Sequence, residues 1–89
     1  MSTVVNHDYP GTDDMTVVSP QGDPIEDAQV RIFEFAKYEA GEVDSWVGET
    51  TTDVDGKWRD PLILDDGATW VVHFQKESMY GPATVEITT

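Results

Sequence analysis

Eighty-nine residues form one domain with a single modest core, because a chain this short hides only about 60–65% of the surface its unfolded form exposes. The balance of 18 acidic against 5 basic residues, a net charge of −13, sets up a field that repels phosphate backbones and anionic lipid heads, which argues against nucleic-acid and membrane partners. There is no cysteine, which excludes disulfides and thiolate metal sites, and no apolar run approaches the 18 residues of a bilayer span. Ser2 to Val5 reads as extended, and Asn6 to Asp14 is a string of turn formers. Residues 1–14 are therefore expected to be an extended leader, either pairing along a sheet edge or ordering only against a partner, and residues 15–89 the folded domain. Met15 to Val18 reads as a first strand closed by the Ser19–Pro24 turn, and Ala28 to Ile32 alternates apolar and polar as a half-buried strand does. The alternation slips at Ile32-Phe33, which predicts a bulge or two Phe rings on the outer face. Lys37 to Ser45 reads as a loop, Trp46 to Thr52 as a strand and Asp53-Val54-Asp55-Gly56-Lys57 as a tight turn. Trp58 to Leu64 is the return strand, interrupted at Pro61, and Thr69 to Gln75 is a strand with Trp70, Val72 and Phe74 on one face. Ser78 to Pro82 reads as a turn, and Ala83, Val85 and Ile87 alternate with polar residues in a last strand. Six or seven short strands with no helical period predict an antiparallel β-sandwich of the immunoglobulin-like type.

Three segments in order carry a family resemblance: Gly22 to Val30, Thr52-Asp53-Val54-Asp55-Gly56-Lys57-Trp58, and Leu64-Asp65-Asp66-Gly67. The pattern from Val17 to Thr88 resembles the carboxypeptidase regulatory-like, transthyretin-like family of small β-sandwiches. In that family the first segment turns into the second strand and Thr-Asp-x-x-Gly-x-aromatic is a hairpin turn. Asn6-His7-Asp8-Tyr9 and Tyr80-Gly81-Pro82 look like short virion proteins of tailed bacterial or archaeal viruses, in which such a domain is a capsid or tail accessory. The opening residues lack the basic and apolar regions of a secretion signal, so a protein made in the host cytoplasm and located in the virion is the expectation.

Catalytic chemistry finds little footing. His7 and His73 sit near no nucleophile motif, and His73 falls on the strand face opposite Trp70, where a solvated residue is expected. The hydroxyisourate hydrolases among the transthyretin relatives end in Tyr-Arg-Gly-Ser, whereas this chain ends Glu86-Ile87-Thr88-Thr89, so that activity is not carried over. Asp53 and Asp55 miss calcium-loop spacing, since Gly56 comes too early and the twelfth position from Asp53 is Leu64. No enzyme activity, cofactor or metal is expected. The acidity is open to three readings: solubility, adaptation to high salt, or steering toward a basic partner. The aromatic residues are too many for one small core, and those left outside are expected to mark an interface.

The function expected from this reading is non-enzymatic: a virion structural protein, a capsid decoration or head or tail accessory, binding capsid or tail proteins and capable of self-association. The expected contact surface is Val4, Val5, Tyr9, Phe33 and Phe35. The alternative is an adhesion or carbohydrate-binding module of a larger cell-surface protein, for which the sequence shows no convergent polar set.

Overall fold

The computed structural model describes residues 1–89 except 10, 12–14, 43 and 77–79, and only the backbone of 80–82. Among the described residues six strands and one short helix follow in order: β1 (Ser2–Val5), β2 (Gln29–Glu34), α1 (Phe35–Glu39), β3 (Gly48–Thr51), β4 (Leu62–Asp65), β5 (Thr69–Lys76) and β6 (Tyr80–Thr88). They build two antiparallel sheets, one of four strands in the order β3-β2-β5-β6 and one of β1 with β4. The expectation of an all-β, sandwich-like fold holds at this level.

The core lies between the sheets. Val30 and Ile32 from β2, Trp70, Val72 and Phe74 from β5, and Ile87 from β6 face Val5 and Leu64 of the small sheet. The predicted inward face of β5 is the observed one. Burial of this aromatic and branched set is the main stabilising term, at roughly 1.5–3 kcal/mol for each fully buried large side chain before conformational entropy is counted.

The motif from Thr52 to Trp58 works as a staple between loops. Thr52 is fully buried; its hydroxyl accepts from the Ala28 N–H at 2.9 Å and donates to the Ile25 carbonyl at 2.6 Å. Gly56, at φ +74°, brings its carbonyl to the Val17 N–H at 2.8 Å, and a Cβ there would lie 2.3 Å from the Val17 oxygen. Trp58 is buried with its indole N–H on the Met15 carbonyl at 3.0 Å. The Asp53 carboxylate closes the turn by accepting from the N–H groups of Asp55 and Lys57 at 2.9 and 3.0 Å.

Four local expectations are corrected. Met15 to Val18 is not a strand: Met15 and Val17 are buried, but pairing stops at one bridge between Val18 and Pro24, because Val17 meets a turn at Gly56 instead of a ladder. Among the described residues the return segment pairs with its predicted partner only at the isolated Thr52–Trp58 bridge, just past the end of β3; beyond Pro61 it becomes β4 and pairs with β1. The residues after Glu34, read as strand and loop, form α1, held by the Lys37–Glu34 pair at 3.7 Å and the Ala40 N–H on the Ala36 carbonyl. Tyr80 to Pro82, read as part of a turn, belong to β6; it is an edge strand, where the N–H that proline lacks can go unmissed. Ser78 and Met79 of that predicted turn lie outside the described residues.

Candidate functional site

β1 and β4 leave one face to solvent. Their register sets Val4 opposite Ile63, and both are exposed, at 59% and 68%, while their neighbours Val5 and Leu64 turn into the core. This apolar cross-strand pair is flanked by the exposed acids Asp65 and Asp66, with Asp66 accepting a hydrogen bond from the Thr3 hydroxyl. Among the described residues no third strand pairs with either member of this sheet.

On the other side of the molecule, the outer face of the four-stranded sheet is organised in rows set by register. Phe33 pairs with Val71 and, next along the strands, Glu49, Arg31, His73 and Thr84 line up across all four strands. A third row places Thr51, Gln29 and Gln75 side by side. The predicted slip at Phe33 contains no bulge, since the β2–β5 register runs unbroken from Gln29 to Glu34. Phe33 does turn away from the main core, but α1 covers it: its ring centroid is 5.2 Å from that of Tyr38.

The polar row is tightly connected. Arg31 Nε donates to Glu49 at 2.6 Å, and its guanidinium lies 3.8 Å from the centre of the Trp46 ring. His73 stands edge-on to Phe33 at 6.2 Å, and its buried Nδ1 has no hydrogen-bond partner among the described residues. Burial, and secondarily the Arg31 guanidinium, lowers its pKa below the ordinary 6.5. The imidazole is thus neutral near pH 7, with one ring nitrogen able to donate and the other to accept. The expectation of a solvated His73 gives way to a half-buried one, because α1 and Phe33 wall that part of the sheet.

Two open hollows of about 500 Å³ each meet at Gln75. One is lined by Arg31, Phe33, Tyr38, Asp44 and His73, the other by Asp27, Gln29 and Lys76. Together they make a groove along β2 and β5. At its far end Asp27 holds a left-handed φ of 60°, anchored by its N–H on the Thr52 carbonyl and by Arg59 at 2.6 Å. The hydrogen bond from Arg59 holds the Asp27 carboxyl below its ordinary pKa. No group of three or more metal-ligating side chains occurs among the described residues.

The five residues expected to form one contact surface are divided between these faces. Val4 is exposed, and Val5 is core. Tyr9 is half-buried against the core, its hydroxyl donating to the Thr88 carbonyl at 3.0 Å. Phe33 is buried at 3% exposure, and Phe35 is half-buried as the first residue of α1. Val4 and Phe33 thus point outward from opposite sheets. Sequence reasoning missed Ile63 and the groove residues Arg31, Tyr38, Gln29 and Gln75. Ile63 had a visible signal, the Leu62–Leu64 run in which one residue of three must face out.

No family model, curated protein or solved structure matches this chain.

Proposed function

We propose that the protein is a non-enzymatic docking domain, a virion structural protein that decorates a capsid or serves as a head or tail accessory. Under this reading it is an immunoglobulin-like sandwich of the carboxypeptidase regulatory-like type, made in the host cytoplasm and carried in the particle. The observation that supports docking most directly is the exposed Val4–Ile63 pair on a two-stranded sheet. Two branched side chains side by side, in a field of net charge −13, form an apolar anchor inside an acidic rim, the layout of a protein contact. Three of the five basic side chains, Arg31, Lys37 and Arg59, are already paired within the chain. The acidic surplus therefore favours a basic patch on the partner. The virion assignment itself rests on the resemblance of the Asn6–Tyr9 and Tyr80–Pro82 segments.

The test is co-sedimentation with purified particles, together with a mass-spectrometric inventory of those particles. Changing Val4 and Ile63 to Ser should leave folding within about 0.5 kcal/mol, as at other exposed sites, while lowering retention on particles. A double variant that is retained like the parent removes this face from the contact. A parent that never co-purifies with particles refutes the virion reading and leaves the second one, an adhesion or carbohydrate-binding module of a cell-surface protein. That second reading is favoured by the groove on the opposite sheet.

A further inference from the structure

We propose that the groove along β2 and β5 is a binding site for a neutral oligosaccharide, recognised by Gln29, Arg31, Tyr38, His73 and Gln75. The proposal gives the carbohydrate reading a location and a ligand class and rests on that reading alone; it makes no use of the Val4–Ile63 face.

The lining selects the ligand by elimination. An anion would meet the surrounding −13 field; Arg31 at the centre is already neutralised by Glu49 at 2.6 Å, and Lys76 at the end shares its hollow with the Asp27 carboxylate. A metal ion would need a set of carboxylates or imidazoles that the described residues do not assemble. A fully apolar ligand would strand the side chains of Gln29, Gln75 and Asp44 without hydrogen bonds. An extended peptide would find no free backbone donors on a sheet face, since strand addition takes place at edges.

A neutral ring bearing hydroxyl groups suits what is there. Amides, a neutral imidazole, a guanidinium and a carboxylate supply donors and acceptors in a small area, and the half-exposed Tyr38 ring, backed by the buried Phe33, offers an apolar wall for a sugar's C–H face. The Arg31 side chain is held by Glu49 and by the Trp46 ring, so part of the ordering cost of binding is met in the free protein. From Gln29 to Phe33 the groove spans about 13 Å at strand spacing, which fits linked rings better than a single one.

Titration of the isotopically labelled full chain, followed by NMR, tests the site. The probes are neutral hexasaccharides of glucose, N-acetylglucosamine, mannose and galactose, with a sulfated hexasaccharide and hexalysine as charged counterparts. At least one neutral probe should shift the signals of residues 29, 31, 38, 73 and 75 at about 10 mM or below, the weak-affinity range open to a shallow site. Gln75→Ala, at an exposed position, should weaken that binding by about five-fold or more, the worth of one hydrogen bond. Tyr38→Ala should do the same, and Val4→Ser should leave it unchanged. The proposal is overturned if no neutral probe shifts these signals, if only the sulfated sugar or hexalysine binds, or if the shifts map elsewhere. Gln75→Ala decides the matter should Tyr38→Ala unfold. Loss of particle retention with intact sugar binding, or the reverse, separates this proposal from the docking assignment.

Discussion

Replacing Thr52 by Val tests whether the loop staple stabilises the fold as its geometry indicates. Valine keeps the shape and both branches of the side chain but removes the hydroxyl that accepts from Ala28 N–H and donates to the Ile25 carbonyl. Ala28 and Ile25 are both buried, so water cannot readily replace either bond. Each orphaned buried group costs about 1–3 kcal/mol, and allowing some relaxation the pair should cost roughly 2–4 kcal/mol. A domain of this length is stable by only about 4–13 kcal/mol, so the fall in melting temperature should be roughly 10–25 °C. Thr52→Ser is the control: it keeps both hydrogen bonds and gives up one methyl group, a loss of about 1 kcal/mol. Urea denaturation of the three proteins provides the comparison. If the Val variant is as stable as the parent, or more stable than the Ser variant, the hydroxyl is not what holds the 25–28 turn.

Gly56→Ala should destabilise more than Gly22→Ala. Both positions have positive φ and share a backbone cost of about 1–2 kcal/mol, but only at residue 56 does the new Cβ meet the Val17 oxygen; equal losses in thermal melts would show that the approach to Val17 relaxes freely. For His73 the folded pKa lies below the unfolded one, so the fold disfavours its protonation. Its contribution is present above about pH 6.5 and is lost as pH falls through the folded value, where the unfolded chain binds the extra proton. His73→Gln should flatten that part of the stability curve, and an identical curve would show that His73 is not its source. Raising sodium chloride from about 0.05 to 1 M shortens the screening length from above 10 Å to about 3 Å. It should raise the melting temperature, because 18 acidic groups repel one another across so small a surface; a fall would mean that the exposed ion pairs outweigh this repulsion.

How much of this was legible in the sequence depended on the range of the interaction. β5 was readable because Trp70, Val72 and Phe74 alternate within one strand, and the Asp53–Lys57 turn because its Asp and Gly satisfy purely local geometry. The two-stranded sheet was half-readable: Ser2 to Val5 looked extended, but its partner lies some sixty residues away, and nothing local specifies which edge it will meet. Helix α1 was hidden because Phe33 and Phe35 continue a strand-like alternation past the point where the strand ends. Five residues are too few to display a helical period.

The groove was the least legible feature, and its origin explains why. Its polar strand residues Gln29, Arg31, His73 and Gln75 sit at outward positions, where polar side chains are the default and carry no signal. Arg31 looks like any solvated residue of β2, and His73 like any solvated residue of β5. They become a site only through the register that lines up Glu49, Arg31, His73 and Thr84, and through α1, which walls one end of that row with Tyr38. The same few residues explain the excess of aromatics noted in the sequence. Phe33 is withdrawn from the surface by packing under the half-exposed Tyr38, and Trp46 stacks beside Arg31. Val4 and Ile63 are then left as the apolar pair that no segment among the described residues covers. Apolar surplus and polar convergence thus end on opposite faces. Under the docking proposal, a partner would meet the small sheet while the groove of the four-stranded sheet stays open to solvent.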